Sequence, residues 1–197
     1  MSIQGKTTKL EAVNTMLGFI GEAPMASLEE NTGVGDAPVA EKVLDEINRE
    51  IQAQGWLFNT EFDVEFAPAA NKELIFSDDI VRVDLERSRY PTIDVTLRGN
   101  KLYNRSKNTY EFEDKITGEQ VKILGWDDLP ELARRYITLR AARVLQDRQV
   151  GAEALTQVGV REELAALATL REYDSETSDS SIFDAYLPAS TVQSYRR

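Results

Sequence analysis

Residues 47–66, INREIQAQGWLFNTEFDVEF, contain the change of periodicity that decides the fold class. Ile47 and Ile51 lie one helical turn apart, within an apolar stripe at helical spacing. Gly55 predicts the end of that helix. Residues 61–66 then alternate between acidic and apolar side chains, as a half-buried strand does. The stretch therefore predicts a helix that leads directly into a sheet.

Two helices are predicted before the sheet. The first is expected from about Lys9 to Ile20. Thr8 and Glu11 have the spacing of a capping box at its start, and Gly21 is a typical helix end. The second is expected to be capped by Asp36. Its predicted core-facing residues are Val39, Val43, Leu44, Ile47 and Ile51.

Further strands are predicted between residues 66 and 125, where alternation returns several times. Gly99 and Asn100 are typical of a hairpin turn between two of them. The segments are Ile80–Leu85, Ile93–Leu97, Lys101–Asn104 and Glu119–Leu124. Together they predict an antiparallel sheet between the helices.

The third predicted helix runs from Asp128, which pairs with Glu131 as a cap, to about Val150. Its apolar residues lie on two faces, so both faces must be covered. It is either the central helix of a monomer or a helix with one face on a neighbouring subunit. Its arginines are expected to pair with surplus carboxylates, within or between subunits. The candidate subunit interface is Ile137, Ala141, Val144, Arg140 and Arg143.

A fourth helix is predicted from about Ala152 to Asp174, followed by a different kind of segment. The predicted apolar arc of this helix is Val160, Leu164, Leu167, Ala168 and Leu170. From Ser175 the chain is rich in serine and aspartate, as disordered segments are. Four large apolar residues within that segment indicate either a docking arm or a tail folded on its own domain: Ile182, Phe183, Tyr186 and Leu187.

These patterns predict an α+β protein. The expected architecture is a four-helix bundle formed by the N- and C-terminal helices, with an inserted antiparallel β-sheet domain and an extended C-terminal arm. The expected domains are 1–57 with 126–174 for the bundle, 58–125 for the sheet and 175–197 for the arm.

The composition excludes several kinds of catalytic site. The 197 residues include no histidine and no cysteine, which rules out Ser-His-Asp triads, Cys-His pairs and Cys/His zinc sites. The net charge of −11 disfavours nonspecific binding to nucleic acid. No signal peptide and no membrane segment is recognised. We therefore predict no catalytic residue, no cofactor and no metal ligand.

Two adjacent acidic pairs leave alternatives open. Asp78-Asp79 and Asp127-Asp128 could each supply the carboxylate pair of a glycan hydrolase. Neighbouring residues of a strand point to opposite faces, however, and carboxylates at a helix start have a simpler electrostatic role. The second alternative is an acidic DNA-mimic inhibitor, which the near-balanced charge of residues 58–125 disfavours.

The order of several short motifs resembles the tail tubular protein A family, the adaptor or gatekeeper proteins of short-tailed bacteriophages. The resemblance spans Leu10 to Asp174, and its most specific part is Gly55-Trp56-Leu57-Phe58-Asn59 after a helix. The other matching motifs are Ala12-Val13-Asn14, Gly21-Glu22-Ala23-Pro24, Ile47-Asn48-Arg49, Tyr103-Asn104-Arg105, Asp128-Leu129-Pro130-Glu131, Arg135-Tyr136-Ile137-Thr138, Val150-Gly151-Ala152 and Glu172-Tyr173-Asp174.

The resemblance implies a non-enzymatic, structural role in the virion. It implies a dodecameric ring that joins the phage portal protein to the tail nozzle, tail tubular protein B. DNA would pass through this ring during ejection without sequence-specific binding, and the protein would be made in the host cytoplasm.

Overall fold

The computed structural model describes residues 5–30, 35–151 and 153–185 and confirms the α+β class. The helices are α1 Lys9–Ile20, α2 Asp36–Gln52, α3 Glu131–Gln149 and α4 Glu153–Ala185. The strands are β1 Thr60–Phe66, β2 Ile80–Asp84, β3 Val95–Arg98, β4 Lys101–Asn104 and β5 Ile116–Lys122. In these described ranges, no helix is both long enough and apolar enough to cross a membrane.

Local signals at α1 act as the sequence predicts. The Thr8 hydroxyl accepts a hydrogen bond from the backbone N–H of Glu11, and the Glu11 carboxylate accepts one from the backbone N–H of Thr8. This reciprocal capping satisfies two donors that a helix start leaves free. Gly21 ends α1 in the left-handed conformation, at φ 81°.

The start of α3 differs from the prediction. Asp128 does not cap this helix, because residues Trp126–Asp128 form a separate 3-10 turn and α3 begins at Glu131. Pro130 disfavours the helical region for the residue before it, and Leu129 is extended, with ψ 143°. Asp36 likewise does not cap α2. It is the first helical residue, and Gly35 occupies the cap position.

One apolar core joins the helices around α3. Met16 of α1, Leu44 of α2 and Leu170 of α4 are all fully buried together with Ile137 and Leu145 of α3. α3 makes extensive contacts with each of the other three helices. The finer expectation, a four-helix bundle, stays a prediction.

The strands form two small antiparallel sheets rather than one. Their orders are β1-β5-β2 and β3-β4, and they enclose a second apolar core that includes Leu74, Leu102 and Ile116. β1 does not alternate throughout, because the β1–β5 register shifts between Glu61 and Val64, where Asp63 has φ 53°. Phe62 is consequently 56% exposed.

Two buried amides fix the sheet to the helices. Gln52, at the end of α2, accepts a hydrogen bond from the Leu124 backbone N–H at 2.8 Å and donates one to the Leu124 carbonyl at 3.1 Å. Asn59 donates to the carbonyls of Gln52 and Lys122. Trp56 is buried beside them and donates to the carbonyl of Ile51. These buried groups tie the two cores together.

α4 is longer than the sequence predicts and presents its apolar residues differently. It continues past the predicted end at Asp174 to Ala185. Leu170 is fully buried against α3, as expected. The predicted core residues Val160 and Leu164 are 37% and 59% exposed, because α3 covers only one side of their arc.

Candidate interaction surfaces

A compact ion-pair cluster joins α4 to α3. Arg140 donates through Nη1 to the carboxylate of Glu163 at 2.9 Å, and Arg143 donates to the same carboxylate through Nε. The Glu163 side chain is only 10% exposed. Hydrogen bonding to Glu163 raises the pKa of Arg143 from its ordinary value. The cluster therefore joins α3 to α4 through charge-assisted hydrogen bonds.

Ion pairs also join α3 to α2. Arg140 also reaches Glu50 at 2.6 Å, and Arg148 reaches Glu46 at 2.9 Å. Three arginines of α3 thus pair with carboxylates inside one chain, which confirms the prediction for Arg140, Arg143 and Arg148. The prediction is wrong for Arg134, which binds backbone carbonyls instead.

The candidate subunit interface on α3 lies largely inside this chain. Ile137 and Ala141 are fully buried in the helical core, and Val144 is partly buried against it. Arg140 and Arg143 hold the ion pairs just described. Both faces of α3 are therefore covered by the chain's own helices, and contact between subunits at these residues stays a prediction.

Arg134 has a role that the sequence did not reveal. It is 3% exposed and donates to three backbone carbonyls, those of Leu129, Thr7 and Asp127, at 3.1, 2.7 and 2.7 Å. It thereby fixes the segment before α1 to the start of α3. The only indication in the sequence was the position of this arginine beside the apolar residues of the helix. A guanidinium at such a position can satisfy several carbonyls at once.

Both adjacent acidic pairs lie in turns, Asp78-Asp79 before β2 and Asp127-Asp128 before α3. Asp79 forms a salt bridge with Lys122 at 3.3 Å, and a hydrogen bond from Ser77 lowers its pKa. Asp127 and Asp128 are exposed residues of the 3-10 turn. A glycosidase acid needs a raised pKa. Every carboxyl pKa found to shift among the described residues is lowered: Glu11, Glu46, Glu73, Asp79 and Glu113.

No group of three or more acidic side chains in the described ranges is arranged to hold a metal ion. Many charged side chains of the described residues instead form ion pairs around the helices and the sheets, such as Lys9 with Glu41 and Lys101 with Glu73. Such partly exposed pairs each contribute little to stability.

Helix α4 exposes three large apolar side chains. Val158 and Leu164 are 57% and 59% exposed, and Val160 is 37% exposed. Isolated exposed apolar residues are common. Val160 and Leu164, however, are one helical turn apart and together form an apolar patch on one side of α4, whereas Val158 projects from another side. Of the predicted docking arm, Ile182 and Phe183 belong to the last turns of α4, whereas Tyr186 and Leu187 lie outside the described residues.

Comparison with known proteins identifies the family. No curated protein matches the chain significantly. A sequence profile for the family described as "Tail tubular protein" matches residues 10–180. The match includes both apolar cores and most of α4. The chain therefore belongs to the tail tubular protein family and is a structural component of a phage tail.

Proposed function

We propose that this protein is the portal adaptor of a short phage tail. Its copies form a ring that joins the portal protein to the tail nozzle, and the genome passes through that ring during ejection. The observation that carries the proposal is the family match over residues 10–180, which includes the helices, the inserted strands and α4.

The surface chemistry supports an assembly role. The described carboxyl groups with shifted pKa values all favour the ionised form, and none has the raised pKa of a general acid. The apolar patch that Val160 and Leu164 form on α4 is suited to contact with another protein. Both features favour the adaptor over a glycan hydrolase.

The net charge of −11 on each copy gives the ring a further property. Carboxylates facing a central channel repel DNA phosphates, so DNA would slide through rather than bind. Neutralising channel-facing carboxylates is expected to slow ejection. An unchanged ejection rate would remove this part of the proposal.

Electron microscopy tests the ring directly. The full chain is mixed with the portal protein of the same phage, and the particles are imaged with and without it. Rings of this protein at the base of the portal are the expected result. A chain that stays monomeric and unattached under conditions in which the portal is assembled overturns the adaptor proposal.

The C-terminal segment is proposed to dock on the portal or on a neighbouring copy through Ile182, Phe183, Tyr186 and Leu187. A chain ending at Thr177 keeps Leu170 in the helical core and keeps the hydrogen bond from the Leu57 N–H to Asp174 at 2.8 Å. It is expected to fold normally but to complete far fewer infectious particles. Undiminished particle formation by the folded, shortened chain contradicts the docking role.

A further inference from the structure

We infer that the contact between neighbouring copies joins the outer face of α4 on one copy to the outer face of α1 on the next, with Leu164 seated over Gly18. The inference rests on the proposed ring and names the surfaces that would form each of its joints.

The outer face of α4 combines an apolar centre with a cation at each end. Arg161, Leu164, Ala168 and Arg171 follow each other at helical spacing and are all exposed. The two arginines are separated by about 15 Å along the helix. Neither forms a salt bridge within the part of the chain that the structure describes. Glu172 is also exposed on this side, so two arginines and one carboxylate leave the face with a small positive charge in a chain of net charge −11.

The outer face of α1 has the opposite character. Glu11, Thr15 and Gly18 lie on one exposed stripe of α1, and Glu22 is an exposed carboxylate just past the left-handed Gly21 that ends the helix. One carboxylate therefore lies near each end of α1, as one arginine lies near each end of the face on α4. Because both ends of each face carry the same sign, the charges match for either relative direction of the helices.

Gly18 leaves a space at the centre of the α1 face that an apolar side chain from α4 can fill. It lies in the last turn of α1, and a Cβ built there would meet no atom of the described chain within 4 Å. Glycine in a helix costs about 0.5–1 kcal/mol relative to alanine, and no intrachain contact requires it here. The opening leaves room for a side chain from outside, and the 59% exposed Leu164 has the size and polarity to fill it.

The helices α1 and α4 contact different sides of α3. Arg134 and Arg143 are nine residues apart, which is two and a half turns, so they project from opposite sides of α3. Arg134 donates to the Thr7 carbonyl just before α1, whereas Arg143 binds Glu163 on α4. Different patches on the two helices form a head-to-tail contact, which is the kind of contact that closes rings.

The charge of the chain explains why such a contact needs cations on one side. Copies with a net charge of −11 repel one another. At the proposed joint, Arg161 and Arg171 lie opposite Glu11 and Glu22, so attraction replaces repulsion there. The same contacts favour this pairing of surfaces over others.

Cysteine cross-linking tests the inference, because the natural chain contains no cysteine and therefore no background. In the full chain, G18C combined with L164C places one thiol on each face. Under mild oxidation of portal-bound rings, every joint can close, so a ladder of covalent oligomers extending well beyond the dimer is expected. Each single variant can yield covalent dimers at most.

The matched control is K42C combined with L164C, because Lys42 is an exposed residue of α2 outside the proposed face. The inference is supported if microscopy shows rings and only G18C combined with L164C yields the ladder. Rings with equal ladders from both pairs, or with none, overturn the α1–α4 joint while leaving the adaptor role intact. Absence of rings from the natural chain with portal overturns the adaptor role and this inference together.

Blocking the open position gives a second test. G18W adds a large side chain without an intrachain clash at Cβ, so the monomer is expected to remain folded by circular dichroism. Ring occupancy on the portal is expected to fall at least tenfold. Full occupancy with G18W contradicts the seating of Leu164 over Gly18.

Discussion

Glu163 of α4 accepts a hydrogen bond at 2.9 Å from Nη1 of Arg140 on α3, and its side chain is only 10% exposed. Arg143 donates to the other oxygen of the same carboxylate. Because α3 covers only one side of the apolar arc of α4, this shared carboxylate is an important part of what holds the helix in place.

Replacing Glu163 with glutamine is expected to destabilise the protein by about 1–3 kcal/mol. The neutral amide removes the anionic partner that the two partly buried guanidinium groups share, and leaves Arg140 with Glu50 and Arg143 with Asp147 alone. The measurement is the free energy of unfolding of the monomer by chemical denaturation. E162Q is the control, because Glu162 is exposed, and its effect is expected to stay within about 0.5 kcal/mol. Equal stabilities for the two variants would contradict the role of Glu163.

Features with local causes were predictable from the sequence. The capping box at Thr8 and Glu11 and the left-handed Gly21 bound α1 at both predicted ends. The turn at Gly99 and Asn100 likewise joins β3 to β4. Each signal involves residues within a few positions, so the chain itself carries the needed information.

Features with distant causes were not predictable. The periodicity of α4 shows that Val160 and Leu164 share an arc, but not that α3 covers only part of it. The alternation in β1 does not reveal the register shift that exposes Phe62. The partners of Arg134 include Thr7, which is 127 residues away. Candidate surfaces depend on such long-range packing, which periodicity cannot specify.

Replacing Gly18 with alanine is expected to stabilise the isolated monomer by about 0.5–1 kcal/mol. Its backbone is helical, its Cβ position is open, and alanine loses less conformational entropy than glycine on folding. The measurement is thermal unfolding of the monomer. G21A is the matched control and is expected to destabilise, because Gly21 has φ 81°, which strains alanine. A loss of stability in G18A would show that the glycine serves the monomer fold.

The stability of the monomer is expected to be nearly constant between about pH 5.5 and 9 and to fall in acid. There is no histidine to titrate in that interval. Hydrogen bonds from Arg148 and Lys101 lower the pKa values of Glu46 and Glu73 below the ordinary 4.5. Their contribution is therefore present above pH 4.5 and is lost as the pH falls through the lowered values. Hydrogen bonding to Glu113 raises the pKa of Lys72, so the contribution of this pair is present below pH 10.5 and is lost as the pH rises through the raised value.

Denaturation curves at several pH values check this profile. In E46Q the acid-induced loss should be smaller, because one ion-paired carboxylate no longer titrates. A large change in unfolding free energy between pH 6 and 8 would be incompatible with a chain that lacks histidine.

Replacing Arg134 with lysine is expected to destabilise the monomer by about 2–4 kcal/mol, even though the charge is kept. A single ammonium cannot reach the three carbonyls that the guanidinium fork satisfies, and at 3% exposure water does not replace it. R135K is the control, because Arg135 is exposed. The indole N–H of Trp126 donates to the same Thr7 carbonyl at 3.0 Å. Its hydrogen-exchange protection, measured by NMR, is therefore expected to fall in R134K and to persist in R135K. Unchanged protection in R134K would show that the segment before α1 is held without the arginine.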